Sequence, residues 1–251
     1  MRRGGKVGIA LLVIGGVLAG GLVIADRIAV GAAEDRIADQ AGQELSARKI
    51  TTASGPTVDI AGFPFLTQVL AGSYDKITVK IPAPLANGVQ FENIDLVMST
   101  VKADAAAIIK GTGQVTATRV TGRATLGWDA VRTALQVAGL PGVEPSAVSV
   151  SVVNSAVTDK VPVAVAGQQA VLVASGALQV EQGKIRLKLT DIRAEGTVTA
   201  VTQRAINEAK GKLAINLNVP AMPYRLVINE VTTSAAGVLI VASADNVVLA
   251  G

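Results

Sequence analysis

"PTVDIAGFPFLTQVLAGSYDKITVKI" spans residues 56–81 and contains the pattern that decides the fold prediction. Near its end, the apolar residues Ile77, Val79 and Ile81 alternate with polar ones. Strict alternation is typical of a strand that turns one face to an apolar interior and the other to water, and it favours antiparallel pairing. The stretch therefore predicts a strand of a one-sided antiparallel sheet.

A short apolar helix is predicted just before this strand. Three of the six aromatic residues of the chain, Phe63, Phe65 and Tyr74, lie in or beside it. Pro64 biases Phe63 toward an extended conformation and can itself open a helix, and Gly72 is a typical helix end. The helix would present one broad apolar face, made of Phe65, Leu66, Val69 and Leu70. This face either plugs one end of the β-structure as ordinary core or lines and gates an apolar cavity.

The alternating pattern recurs later in the chain. It appears in "AVSVSVVNS" (147–155), "GKIRLKLTDI" (183–192) and "KLAINLNVP" (212–220). Two segments, 127–142 and 197–211, favour helices, and the first of them has Trp128, Val131 and Leu135 on one face. Together the patterns predict an α+β fold: an elongated, strongly curved antiparallel β-barrel with a few packed helices.

The N-terminal segment predicts a membrane helix. Val7 to Ala25 are 19 residues without a charge, and as a helix they span about 28 Å, close to the roughly 30 Å hydrocarbon core. Arg2, Arg3 and Lys6 precede them, so the N-terminus should stay in the cytoplasm and the rest should face the periplasm or cell wall. The alternative is export after cleavage of a signal peptide, whose apolar region is usually shorter. We divide the chain into residues 1–32, a basic tip plus anchor or signal segment, and residues 33–251, a β-rich domain.

A second, amphipathic helix is predicted in residues 29–50. Its narrow apolar stripe consists of Ala33, Ile37, Ala41 and Leu45. Such a helix would pack on the domain or serve as a stalk.

Composition excludes several kinds of chemistry. The chain has no cysteine and no histidine, which removes disulfides, thiol nucleophiles and the commonest general base and metal ligand. Its carboxylates are scattered singly, and it has no calcium loop or phosphate-binding glycine loop. Three of the four net positive charges come from Arg2, Arg3 and Lys6, so no nucleic-acid partner is indicated. We predict a protein that is not an enzyme and uses no metal or other cofactor.

Residues 56–81 also carry a resemblance. Pro56, Val58, Ile60, the run from Gly62 to Gln68, and Gly72 resemble the signature of an actinobacterial family of exported lipid-binding proteins, the lipomannan elongation maintenance type. The C-terminal "NVPAMPYRLVINEV" and "GVLIVASADNVVL" resemble the same family, although Arg225 follows Tyr224 where the family usually has a Pro-Tyr-Gly-like turn.

This resemblance implies a tubular lipid-binding (TULIP-like) β-barrel that binds anionic phospholipid, such as phosphatidylinositol species, and supports assembly of envelope lipoglycans. A mannosyltransferase of the envelope is the protein partner that such a role suggests, and residues 7–25 would contact the cytoplasmic membrane. We expect the lipid cavity or its gate to be formed by Phe63, Phe65, Leu66, Val69, Leu70, Trp128, Val131, Leu135 and Tyr224.

Two other functions are compatible with the sequence. The chain could be a non-binding accessory subunit of an envelope enzyme or transporter, or a glycolipid enzyme that uses carboxylates. The lipid headgroup, the direction of transfer and the oligomeric state do not follow from the sequence.

Overall fold

A computed structural model describes residues 4–86, 88–104, 113–131, 149–153, 156–165, 168–195, 214–217 and 223–250. The helices are α1 (Gly4–Ala47) and α2 (Phe65–Ala71), with a 3₁₀ turn at Pro223–Arg225. The strands are β1 (Thr57–Ala61), β2 (Ser73–Pro82), β3 (Leu85–Ala86), β4 (Val89–Gln90), β5 (Asn93–Ala103), β6 (Val115–Leu126), β7 (Ser149–Val153), β8 (Ala156–Val165), β9 (Gln168–Glu181), β10 (Lys184–Glu195), β11 (Ala214–Leu217), β12 (Val227–Ser234) and β13 (Gly237–Ala250).

The strands form two large antiparallel sheets. The first has the order β1-β2-β5-β6-β13-β12, and the second has the order β11-β10-β9-β8-β7. β3 and β4 form a separate small hairpin. The predicted α+β class with a mostly antiparallel sheet and few helices is therefore confirmed.

The predicted closure into a barrel is wrong. Within the described residues, the six-stranded sheet ends at β1 on one side and at β12 on the other, and these two strands do not pair. Each edge is covered by another element instead: α1 lies against β1, and β9 and β10 contact β12. Because an edge strand can be protected by a covering element as well as by closure, the sheet stays open.

The alternation in β2 sets the inner face of the six-stranded sheet. Ile77, Val79 and Ile81 are buried, while Lys76 and Lys80 are exposed. In the second sheet, Ile185 and Leu187 of β10 are buried in the same core cluster as β12 residue Ile228. The strand predictions at 76–81 and 184–188 are thus confirmed, and the two sheets share one core.

α1 is a single continuous helix that crosses the predicted boundary between residues 32 and 33. It runs beside β1 in the opposite direction, with Glu34 next to Ile60 and Gly42 next to Pro56. The predicted stripe of Ala33, Ile37, Ala41 and Leu45 is half-buried on the domain side, whereas every side chain from residue 20 to residue 25 is exposed. Among the residues of α1 whose burial is described, from residue 20 on, the first buried side chain is that of Asp26.

Among the described residues, no helix combines the length and the hydropathy that a membrane crossing requires. The division at residue 32 stays a prediction. Of the two further predicted helices, the first (127–142) is helical at residues 128–131. Its residues 132–142 lie outside the described residues, as does all of the second helix (197–211).

Candidate functional site

α2 forms where the sequence predicts it. It begins after Pro64, whose backbone is extended, and it ends at Gly72, whose φ of 61° is left-handed. Glycine adopts this conformation without a Cβ clash, and its N–H donates to the carbonyls of Gln68 and Val69. The Phe63–Pro64 peptide bond is cis.

The apolar face of α2 is divided between the core and the surface. Phe65 is 5% exposed and its ring centroid lies 6.1 Å from that of Tyr74, whereas Leu70 is 89% exposed. Five positions along a helix correspond to about 140° of rotation, so Phe65 and Leu70 cannot face the same neighbour. Tyr74 is half-buried beside Phe65, and this burial raises the pKa of its hydroxyl. Two of the three clustered aromatic residues thus form core that fastens α2 to β2.

A carboxylate from α1 binds the start of α2. Asp26 is 2% exposed, and its Oδ1 accepts the N–H of Leu66 at 2.8 Å. Its Oδ2 accepts a hydrogen bond from Nη2 of Arg27, also at 2.8 Å. The first N–H groups of a helix have no intrahelical acceptor, so the carboxylate satisfies one of them and carries the charge that a helix N-terminus favours.

The environment of Asp26 keeps it ionised. Burial alone would raise its pKa, but the N–H groups of Leu66 and Phe65 and the side chain of Arg27 together lower the pKa below its ordinary value. The sequence analysis missed Asp26, which stands directly after the charge-free segment. A lone carboxylate at the end of an apolar run is the signal that could have drawn attention to it.

Gln68 fastens α2 to the β1–β2 hairpin. Its Nε2 donates to the carbonyl of Ala61 at 3.1 Å, and its Oε1 accepts the N–H of Asp75 at 3.0 Å. The amide thereby bridges the end of one strand and the start of the next. Its signal in the sequence is a polar residue three positions after Phe65, on the buried side of an apolar helix.

The predicted site residues do not come together. α2 lies at the end of β6 that begins with Val115, because Ala103 pairs with both Gly72 and Val115. Trp128 lies beyond the other end of β6, where its Nε1 donates to the carbonyls of Ser234 and Ala235. The length of β6 separates these ends by about 36 Å. One small pocket cannot contain both groups.

The remaining predicted residues are also dispersed. Val131 is buried beside half-buried Trp128 in the core cluster, and Leu135 lies outside the described residues. Tyr224 is exposed and has a φ of 57°, and Arg225 follows with a φ of 53°. The turn at Tyr224 and Arg225 is thus left-handed in this chain, with arginine where the family usually has glycine. Lipid contact by each of the nine residues stays a prediction.

A second apolar surface runs along the inner face of the six-stranded sheet. Ile94, Leu96 and Met98 of β5 are half-buried, and Leu96 and Met98 pack against the core. Their partners on β6 include Ala124 and Gly122, which occupy little volume. At Gly122 a Cβ would lie 3.3 Å from Leu96 and 3.4 Å from Leu226. The side chains of Leu96 and Leu226 thus occupy the space over Gly122, and the centre of the sheet is a half-buried apolar strip that we call the trough.

The sequence analysis missed this trough, which we define as Ile94, Leu96, Met98, Gly122 and Ala124. "NIDLVMS" in residues 93–99 alternates less clearly than the neighbouring β2, because apolar Val97 falls on the opposite face. The feature of the sequence that could have indicated the trough is the pair of small residues Gly122 and Ala124 in the next strand, β6.

An open cleft of about 590 Å³ lies beside the C-terminus of α2. Val69, Leu70 and Ala103 supply apolar lining, and the polar lining comes from Lys102, Asp104, Gln114 and Thr116. No group of three or more carboxylates within the described part of the chain is arranged to hold a metal ion. The cleft thus combines an apolar wall with a lysine and hydrogen-bonding side chains.

Residues 24–243 match the family model for LmeA-like phospholipid-binding proteins. The chain belongs to the LmeA-like family. The match includes Asp26, α2 and the trough, and it confirms the resemblance found in residues 56–81. This LmeA-like family is characterised by binding of phospholipid and not by a reaction. Neither a curated protein nor a solved structure gives a significant match to the chain.

Phe65→Ala should destabilise the fold by about 3–5 kcal/mol, because it removes a buried ring from the core. Leu70→Ala is the matched control on the same helix and should change stability by less than about 0.5 kcal/mol, as exposed substitutions do. Chemical unfolding of both variants measures the difference. Equal losses would show that α2 is not divided between core and surface in this way.

The contribution of Asp26 to stability should depend on pH. A carboxyl group whose pKa is lowered on folding stabilises the protein fully above its ordinary pKa and loses that contribution as the pH falls through the lowered pKa. Asp26→Asn should therefore lower the melting temperature at neutral pH, and the difference from the unmodified chain should disappear in acid. Thermal unfolding across this pH range is the measurement.

Asp39→Asn on the exposed side of α1 is the control and should change little at any pH. A melting-temperature difference for Asp26→Asn that stays constant from neutral to strongly acidic pH would contradict the role assigned to its charge.

Proposed function

We propose that this protein binds phospholipid and holds the acyl chains on the trough of the six-stranded sheet. Membership of the LmeA-like phospholipid-binding family is the observation that carries the proposal. The trough supports it, because its side chains are apolar and Ile94, Leu96 and Met98 are only half-buried. A flexible acyl chain needs apolar contact and volume, and it needs few polar partners.

We further propose that the phospholipid is anionic and of the phosphatidylinositol type. The cleft beside α2 supports a headgroup site, since Lys102 adjoins apolar Val69 and Leu70 there. A lysine ammonium attracts phosphate as a point charge, and the side chains of Gln114 and Thr116 can hydrogen-bond a polar headgroup.

The proposed setting is the outer side of the cytoplasmic membrane. The charge-free segment Val7–Ala25 would cross the bilayer with Arg2, Arg3 and Lys6 in the cytoplasm. The role we propose is to bind or transfer lipid for lipoglycan assembly, together with an envelope mannosyltransferase. The resemblance in residues 56–81 supports this role.

Leu96→Gln should reduce the phospholipid carried by the protein. An amide without a partner against an acyl chain costs about 1–3 kcal/mol, which corresponds to a loss of affinity of about five- to 150-fold. Val97→Gln is the matched control, because Val97 is the next residue of β5, is also half-buried and faces the opposite side of the sheet. Both substitutions add the same amide to the same strand.

The measurement is mass spectrometry of lipid extracted from the purified full-length chain, normalised to the folded fraction. A bound phospholipid that falls with Leu96→Gln alone supports the trough. Equal lipid loading of the two variants would exclude the trough as the acyl site, and a chain that carries no phospholipid would contradict the proposed function.

A reporter enzyme fused after Gly251 tests the topology. We expect activity from a reporter that folds only outside the cytoplasm and none from one that works only inside it, because the basic residues precede the apolar segment. Activity of the cytoplasmic reporter would refute the proposed orientation.

A further inference from the structure

The end of the domain that contains α2 exposes several large apolar side chains. Phe63 is 61% exposed, Leu70 is almost fully exposed, and Leu66 between them is also exposed. These residues belong to one short turn and helix, so they form one face. Isolated exposed leucines are common on protein surfaces, but a group on one element marks an interaction site.

Helix α1 extends this face. Leu22 and Val23 are exposed and lie one turn before Asp26 and Arg27 on the same sides of the helix. Asp26 binds the N–H of Leu66, and the guanidinium carbon of Arg27 lies 5.2 Å from the ring centroid of Phe63. Leu22 and Val23 therefore lie one helical turn from the residues that contact the start of α2, and we call Leu22, Val23, Phe63, Leu66 and Leu70 the α2 surface.

We propose that the α2 surface rests in the outer leaflet of the same phospholipid bilayer that α1 enters. This inference rests on the proposed membrane attachment and adds a second contact to it. Its basis is the position of the surface along α1. The charge-free run ends at Ala25, and the next residue, Asp26, hydrogen-bonds to α2. The α2 surface thus lies where a membrane-spanning helix would leave the hydrocarbon.

Arg27 is the charged residue whose position fits a lipid interface, while the other charges near the α2 surface balance in sign. The side chain of Arg27 is 51% exposed while it pairs with Asp26 and stacks on Phe63. An arginine beside apolar side chains can keep its guanidinium among phosphates while its neighbours enter the acyl region. Lys76 and Lys102 are exposed near the same end, together with Asp75 and Asp104.

Two features favour a bilayer over a protein partner as the occupant. The α2 surface is small, made of one seven-residue helix, the turn before it and one turn of α1, whereas a stable protein interface needs about 20–30 residues a side. It is also continuous with the apolar segment that enters the membrane. Docking here would bring the cleft beside Val69 and Lys102 to the leaflet, where a lipid can pass directly into it.

The test uses tryptophan fluorescence in the full-length chain. Trp128 is the single tryptophan and lies at the opposite end of β6 from α2, so it serves as a reporter that stays away from the bilayer. The second reporter is Leu70→Trp combined with Trp128→Phe, which changes an exposed position on α2. Both proteins are reconstituted into phosphatidylcholine vesicles that contain phosphatidylinositol, with and without lipids brominated on the acyl chain.

We expect the brominated lipids to quench most of the emission of the Leu70→Trp protein and little of the emission from Trp128. Introducing a negative charge at a neighbouring position, with Leu66→Glu added to Leu70→Trp, should reduce the quenching several-fold. Unquenched Leu70→Trp emission in protein that floats with the vesicles would overturn the proposal, as would equal quenching of the two reporters.

Lipid extraction from the same purified proteins before reconstitution separates this proposal from the proposed function. Protein that carries phospholipid while its Leu70→Trp emission is unquenched would leave phospholipid binding intact and exclude the docking surface. Quenching of Leu70→Trp without any extractable bound phospholipid would support the docking surface and count against the proposed function.

Discussion

The hydrogen bond from the N–H of Leu66 to Oδ1 of Asp26 holds the N-terminal helix to the rest of the protein. A second carboxylate, Glu34, accepts the N–H of Ile60 two turns further along α1. The two bonds fix α1 beside the edge strand β1 and fix α2 at the point where the apolar segment ends. They act together with the packing of Val30, Ala33 and Ile37 on the core, which also keeps α1 over the edge strand β1.

This arrangement gives the two ends of the sheet different characters. The α2 end has exposed apolar residues, the cleft that contains Lys102, and the N-terminal part of α1. At the opposite end, Trp128 is hydrogen-bonded to the turn between β12 and β13. The trough lies between them along β5 and β6. A lipid that entered at the α2 end would therefore extend toward the Trp128 end, in contact with Met98, Leu96 and Ile94 in that order.

The sequence predicted what depends on local pattern. The alternation at Ile77, Val79 and Ile81 identified β2 and its inner face, and Pro64 with Gly72 identified α2. The sequence could not predict which edge of the apolar stripe of α2 is buried. Phe65 and Leu70 are equally apolar, and only their neighbours in the fold distinguish them. The open sheet was also missed, since alternation shows that a strand has two faces but does not show which strands pair at the edges.

The candidate site escaped prediction for a related reason. Asp26 and Leu66 are 40 residues apart, and Gly122 lies beneath Leu226 only because β6 and β12 belong to one sheet. Contacts between residues so far apart in the sequence produce no periodic pattern along the chain. The family signature, by contrast, was readable in residues 56–81, because Phe63, Pro64 and Phe65 stand together in a chain with few aromatic residues.

Amide hydrogen exchange at Leu66 tests the central constraint most directly. Leu66 and Thr67 both lie in the first turn of α2, where N–H groups lack intrahelical acceptors and usually exchange fast. If Asp26 holds α2 to α1, the Leu66 amide should exchange much more slowly than the Thr67 amide, and Asp26→Ala should abolish that protection. Equally fast exchange at Leu66 and Thr67 in the unmodified protein would contradict the account.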